Sequence, residues 1–291
     1  MTSTVWSRPF SPTPPREMNE TDASAVPSPR HTEQRNSGTG FGTPHRHFKV
    51  TDSTNTRARE LAEAGAPGGT VVTAREQTEG RGRVGRVWTA PDGKALLYSA
   101  ILRPLDQRHL LLPLSVPLAV CAAAESLRDG IECAVKWPND VWLDGRKLAG
   151  ILIEAKPQDG WAVIGIGLNL YIAPNEFPPD LRQPAVSLFA TTLGTRGESR
   201  PSLPAVARSG LPPSPSTVAE VLNRHLDHWV MARDEDVLAE WRRRDGLRGR
   251  EIAWEDGSGV ADGIDDRGNL VVVTPGGDRV SLGAGEVQLR I

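Results

Sequence analysis

Seven consecutive residues, Gly80-Arg81-Gly82-Arg83-Val84-Gly85-Arg86, hold the densest chemistry in the chain. Glycine tolerates positive φ and lets backbone approach a ligand closely. Arginine carries a planar five-donor fork that stays charged at any physiological pH. Three such cations in one loop repel one another unless an anion sits among them, and carboxylates or phosphates match their geometry. A second concentration is Lys136-Trp137-Pro138-Asn139-Asp140, followed by Arg146-Lys147-Leu148-Ala149-Gly150. Asp144-Gly145 between them signals a tight hairpin, which brings Asn139, Asp140 and Lys147 within reach of one another. A third, Gly165-Ile166-Gly167-Leu168-Asn169, supplies two side-chain-free positions and one amide. Each has an ordinary reading. Strand glycines and Asp-Gly hairpins are common, Lys147 can be a solvated edge residue, and Trp88 and Trp137 can be plain core. Together with the arginine loop, the set describes a site for an anionic nucleotide.

Other phosphate-binding patterns fit less well. Gly80, Gly82 and Gly85 satisfy G-x-G-x-x-G, but that fingerprint requires a helix to open at once, and residues 88–93 read as a turn. With Val87 the loop also fits a kinase glycine loop, yet V-A-I-K, H-R-D and D-F-G are absent, as is Walker A.

The elements that must position these residues form an α/β pattern. Asp52 or Ser53 can cap a helix carrying Ala58, Leu61 and Ala62 on one face and stopping at Gly65. Residues 70–75 and 95–102 read as strands, and 110–128 as a buried helix with Pro117 near its first turn. Strands follow at 141–143, 147–155 and 161–170, and helix returns over 217–244. Short strands at 251–254, 259–264, 270–274, 279–282 and 287–291 then alternate with Gly and Asp turns, as in a small β-barrel. The expected organisation is a disordered Pro/Ser/Gly-rich tail at 1–43, an α+β catalytic domain at 44–245, and a barrel at 246–291. A mobile insertion with five prolines is expected at 191–216.

Composition narrows the function classes. The chain has 291 residues, 38% hydrophobic and 24% charged, with a formal net charge of −2, which gives no general reason to expect nucleic acid or an anionic membrane as partner. Cys121 and Cys133 lie in apolar stretches without metal-ligand spacing and read as reduced core residues. No run approaches a membrane span, and residues 1–10 lack a signal-peptide pattern. The expectation is a cytoplasmic protein.

On these residues the chain resembles biotin–protein ligases. The family's G-R-G-R-x-G-R-x-W loop stands at Gly80 to Trp88 and its K-W-P-N-D element at Lys136 to Asp140. R-K-L-A-G stands at Arg146 to Gly150, Ser-Thr-Asn at Ser53-Thr54-Asn55, and G-x-G-x-N at Gly165 to Asn169, in matching order. The resemblance implies a mixed-sheet catalytic domain of the biotin/lipoate ligase type, like class II aminoacyl-tRNA synthetases, followed by an SH3-like barrel. It implies biotin and ATP as substrates, Mg²⁺ with the triphosphate, and a biotin carboxyl carrier domain of acetyl-CoA or related carboxylases as partner.

The implied roles are as follows. Ser53, Thr54, Asn55 and Gln77 surround the ureido ring of biotin, and Arg81, Gly82 and Arg83 lie on the loop closing over it. Lys147 bridges biotin carboxylate and α-phosphate, with Arg83 in support. Trp88, Asn139, Asp140, Gly150, Gly165, Gly167 and Asn169 build the nucleotide side without a direct metal-ligand set, and Asp140 is a candidate acceptor for the carrier lysine's proton. A lipoate ligase is the alternative within the superfamily. A biotin-responsive repressor is disfavoured, because about 45 residues precede the resemblance and lack helical apolar periodicity. A monomer or weak homodimer without nucleic acid or membrane partners is expected.

Overall fold

The computed structural model describes residues 40–189, 212–283 and 288–289. Most of the expected tail and insertion therefore lies outside the described residues. Seven strands form one sheet in the order β1-β2-β3-β7-β6-β5-β4. They are β1 (His45–Thr51), β2 (Val71–Gln77), β3 (Ala95–Leu102), β4 (Cys133–Lys136), β5 (Asp140–Leu143), β6 (Arg146–Lys156) and β7 (Trp161–Asn169). Only β1 and β2 run parallel; every other pair is antiparallel, so the expected mixed-sheet α+β class holds. Between β5 and β6, Asp144 (φ 52°) and Gly145 (φ 69°) take the left-handed conformations an Asp-Gly hairpin turn needs.

One face of the sheet receives helix α1 (Thr54–Glu63), which buries Ala58 and Ala62 on Val72, Ile101, Trp161 and Val163. On the other face lies α2 (Leu112–Leu127), all but encased, with α4 (Asp234–Arg243) against it and α3 (Pro215–Val230) alongside it, where Asn223 of α3 accepts the Tyr98 hydroxyl of β3 at 2.7 Å. Pro117 sits inside α2 rather than in its first turn, while Pro113 is the proline near the start. The expected single helix over 217–244 is two helices broken at residues 231–233. Asp234, Glu235 and Asp236 open the second, where acidic side chains suit a helix N-terminus. The apparent tail also ends earlier than Thr43. Phe41 is buried in the main core, and its N–H donates to Asp227 on α3 at 2.9 Å. A lone aromatic in a polar segment carries no periodicity, so composition missed it.

The C-terminal strands β8 (Glu251–Trp254), β9 (Gly257–Ile264), β10 (Leu270–Val273), β11 (Arg279–Leu282) and β12 (Gln288–Leu289) form an antiparallel sheet in the order β11-β10-β9-β8-β12. It is tied to the first sheet through β4: Val135 N–H donates to the Arg244 carbonyl and Gly246 N–H to the Val135 carbonyl. Arg244 is itself buried, and bonds Glu125 on α2, Glu240 on α4 and the Cys133 carbonyl. No helix among the described residues is long and apolar enough to cross a membrane.

Candidate active site

A cleft of about 950 Å³, open to solvent, lies on the α1 face of the sheet. Its floor is a row of directly paired residues on four adjacent strands. Gly167 on β7 faces Gly150 on β6, Gly150 faces Asp140 on β5, and Asp140 faces Lys136 on β4. The two ends of the cleft differ in chemistry.

The end beneath α1 is neutral and internally bonded. Ser53 occupies the N-cap position but makes no capping hydrogen bond. The capping acceptor comes from another strand, since Gln77 Oε1 takes the Thr54 N–H at 2.7 Å and the Thr54 hydroxyl at 2.9 Å. Asp52 instead receives the Ser53 N–H and grips Arg57; the Arg57 guanidinium pulls its carboxyl well below the ordinary range. The Ser99 hydroxyl lies 2.8 Å from Thr54 Oγ1 and 2.6 Å from Asn55 Oδ1, and Asn55 Nδ2 donates to Glu154 at 2.9 Å. Glu154 in turn pairs with Arg81 at 2.9 Å, which fastens the arginine loop to β6. Gly165 is required here: a Cβ at that position would stand 2.0 Å from Asn55 Oδ1.

The other end is cationic. Lys147 Nζ lies 2.7 Å from Asp140 Oδ1 and 5.7 Å from the centre of the Trp88 ring. That placement depends on a β-bulge. Val141 pairs with Ala149, but Trp142 pairs with Lys147, so Leu148 is the extra residue on β6. In a regular strand residues three apart face opposite sides; the bulge shifts the alternation and puts Lys147 and Gly150 on one face. A Cβ on Gly150 would lie 3.2 Å from Lys147 Nζ and 3.0 Å from the Trp88 ring. The Trp88 indole lies flush on Gly167, where a Cβ would be 2.3 Å from the ring.

The loop itself is a narrow ribbon. Arg81 bridges Val87, Gly82 N–H donates to the Arg86 carbonyl, and the turn passes through Val84 (φ 52°) and Gly85 (φ 69°). A β-branched residue with positive φ is strained. Val84 and Val87 are both exposed beside the cleft.

Arg83, Arg86, Lys136 and Lys147 line this end against Asp140. Burial lowers the pKa of Arg83, opposed by Asp140 and reinforced by Arg86. Burial likewise lowers that of Lys136, opposed by Asp140, with Lys147 and Arg86 adding to the fall. Cations that burial and mutual repulsion disfavour in this way gain from an arriving anion. Among the described residues, no cluster of three or more His, Cys, Asp or Glu gathers to hold a metal.

Of the residues expected from sequence, Ser53, Thr54, Asn55, Gln77, Arg81, Gly82, Arg83, Trp88, Asn139, Asp140, Lys147, Gly150, Gly165 and Gly167 line this one cleft. Asn169 does not line it. Its amide is buried and donates to the Lys147 and Val186 carbonyls at 3.4 and 3.1 Å, clamping the strand that carries Lys147. Asn139 lines the cleft, but its amide also holds backbone, the Ile151 carbonyl at 2.8 Å. Trp137 is buried and its indole N–H donates to the Gly268 carbonyl of the C-terminal sheet at 3.0 Å. Sequence reasoning assigned nothing to Ser99, Glu154 or Lys136. For Ser99 and Glu154 the sequence carries no signal; Lys136 stood inside a motif already singled out.

Known proteins match this arrangement. The model of the biotin/lipoate A/B protein ligase family matches residues 47–170, and that of the biotin protein ligase C-terminal domain matches 249–290. A biotin–[acetyl-CoA-carboxylase] ligase of Mycobacterium tuberculosis is 33% identical over 85% of this chain and 91% of its own length. The bifunctional ligase/repressor BirA of Bacillus subtilis is 41% identical over 49% of this chain and 45% of its own, so the match spans less than half of that relative. A biotin protein ligase from Aquifex aeolicus, solved with biotin and ATP, superposes with a TM-score of 0.65 at 26% identity, over 84% of this chain and 98% of that one. Sequence identity, superposition and the C-terminal domain match agree: the chain belongs to the biotin/lipoate A/B protein ligase family and, within it, to the biotin protein ligases.

Proposed function

We propose that this chain is an ATP-dependent biotin–protein ligase, forming biotinyl-AMP and then passing biotin to a lysine of a biotin carboxyl carrier domain. The observation that carries the reading is the division of one cleft into a neutral, hydrogen-bonded end and a cationic end. Biotin has a neutral ureido ring and a carboxylate, and ATP is polyanionic. The Ser53, Thr54, Asn55 and Gln77 end suits the ring's donors and acceptors. The Lys147 end suits the carboxylate and phosphates. The Aquifex relative, named for its complex with biotin and ATP, supports the same assignment.

In the first step a biotin carboxylate oxygen attacks the α-phosphorus. The new O–P bond forms as the bond to the β-bridging oxygen breaks, and pyrophosphate departs with that electron pair. Negative charge builds on phosphate oxygens, and fixed cations in a shielded site stabilise it. Lys147, held by Asp140 and the Trp88 face, meets both reacting groups, with Arg83 beside it. Glycines 150 and 167 and the Trp88 ring form a flat wall for the nucleoside. Mg²⁺ would arrive on the triphosphate and neutralise part of its charge, since Asp140 is already engaged by Lys147. In the second step a neutral carrier lysine attacks the anhydride carbonyl and AMP leaves. Asp140 is the carboxylate at this end that accepts the amine's proton. The work would be done in the cytoplasm.

The test is exchange of labelled pyrophosphate into ATP. Exchange that depends on biotin is expected. Exchange equally fast without it, or only with lipoate, overturns the reading.

A further inference from the structure

We infer that Glu154 is a positioning residue for the arginine loop: it latches the loop, through Arg81, to the hydrogen-bonded end of the cleft and so sets how firmly that end retains its ligand. Only the identity of that ligand rests on the ligase reading. Glu154 does not line the cleft, yet two parts of the site meet on it. Its Oε2 accepts Asn55 Nδ2 of α1 at 2.9 Å, and Arg81 Nη1 straddles the carboxylate, 2.9 Å from Oε1 and 3.1 Å from Oε2. The chain behind Asn55 fixes this arrangement. Asn55 Oδ1 can only accept, so the single Ser99 proton goes there, across 2.6 Å. The amide nitrogen must then face β6, where it donates to Glu154 and, at 3.4 Å, to the Leu152 carbonyl. Asn55 is 4% exposed and has no water to turn to. A half-exposed ion pair contributes little when both side chains must be ordered to make it. Here Asn55 has already ordered the carboxylate.

The internal bonds of the loop do not say where it lies. Trp88 N–H donates to the Gly80 carbonyl and Gly82 N–H to the Arg86 carbonyl, which holds the ribbon together without fixing it over the sheet. Two of its arginines supply that. Arg81 and Arg83 stand two residues apart and answer to carboxylates at opposite ends of the cleft, Arg81 to Glu154 and Arg83 to the charge of Asp140. The two carboxylates differ in what a ligand does to them. Asp140 lies inside the cleft and is already engaged by Lys147, so an arriving anion competes with it for Arg83. Glu154 lies outside the cleft and keeps Arg81 whatever the cleft contains. The Arg81 guanidinium therefore serves the position of the loop, and Glu154 acts on the ligand only through it.

Loop position and turnover can be read separately. Glu154→Gln keeps an acceptor for Asn55 and drops the charge that holds Arg81. Trypsin should then cut after Arg83 and Arg86 about 2- to 5-fold faster than in the wild-type protein, as expected for losing one partly exposed ion pair from a loop that opens and recloses, with the melting temperature little changed. The KM for biotin should rise by a similar factor while that for ATP moves less. Arg81→Gln should behave in the same way, and the double variant should be no worse than either single one, because both remove one interaction. Unchanged cleavage in Glu154→Gln, or additive effects in the double variant, overturns the latch. Equal rises in the two KM values would make Glu154 a general support of the sheet and overturn it as well. The cleavage assay needs neither substrate. Faster loop cleavage in Glu154→Gln, with no biotin-dependent exchange in the wild-type protein, sinks the ligase reading and leaves the latch standing.

Discussion

The two ends of the cleft are built on opposite principles. At the α1 end, Gln77, Thr54, Ser99, Asn55 and Glu154 satisfy one another in a continuous chain of hydrogen bonds before any ligand arrives. At the β4 end, Arg83, Arg86, Lys136 and Lys147 crowd around Asp140, with burial lowering the pKa of two of them. The first end is a template whose shape is fixed by folding. The second holds repulsion that a ligand relieves. Hydrogen bonds that close on themselves rigidify a site, whereas concentrated like charge favours an anionic guest and the charge that develops on it. A neutral ring and a phosphate chain call for those two designs.

Breaking the charged end should have the largest effect. Lys147→Gln is expected to slow adenylate formation by on the order of 10² to 10³, the usual cost of one preorganised electrostatic donor. Transfer from pre-made biotinyl-AMP should suffer less, because the phosphorus chemistry is then complete. Rapid-quench measurement of each half-reaction separates the two, and equal slowing would reduce Lys147 to general ligand positioning.

The paired glycines sharpen the comparison, because they lie two residues apart on one strand yet serve different ends. Gly165→Ala drives a methyl into Asn55 and Gly167→Ala drives one into Trp88. Overpacking of this sort costs about 1–3 kcal/mol, so both variants should melt earlier. Gly165→Ala should raise the KM for biotin more than that for ATP, and Gly167→Ala the reverse. Identical kinetic profiles would mean that the cleft is not divided.

Ser99→Ala tests the closed network more gently. It removes one buried hydroxyl that serves both Thr54 and Asn55, a loss of about 1 kcal/mol in denaturant unfolding, with weaker biotin binding. No change in either would show that the two acceptors find other partners. The smallest expected effect is that of salt. Raising ionic strength screens the charged end, so the KM for ATP should climb by a few-fold while that for biotin moves less. Equal responses would count against the contrast.

Much of this was legible in the chain itself. The arginine-glycine loop, the Asp144-Gly145 turn and the alternating strands after Gly246 announce themselves through residue types whose local conformational demands are strong. The order of motifs identified the family, and most of the expected site residues line one cleft. Sequence missed Ser99 and Glu154 because a buried serine and a strand glutamate look like any others until a neighbour four decades of residues or more away is brought against them. Lys136 was visible in its motif, but nothing local says that its ammonium is buried beside Asp140 and the Trp142 ring.

Sequence alone thus determined which residues could hold an anion, where the chain turns, and which family it belongs to. Tertiary structure decided how those residues divide the work. Strand alternation counts in twos, so Lys147 and Gly150 should face apart, and only the bulge at Leu148, set by the pairing of β5 with β6, turns them to the same side. Asn169 sits in a motif with the site glycines, yet at its place on β7 the nearest carbonyls are those of Lys147 and Val186, and they take its amide. The cap of α1 comes from Gln77 on β2, twenty-three residues from Thr54. Hydrogen-bond partners are chosen by distance in space, and distance in space is what a linear pattern does not record.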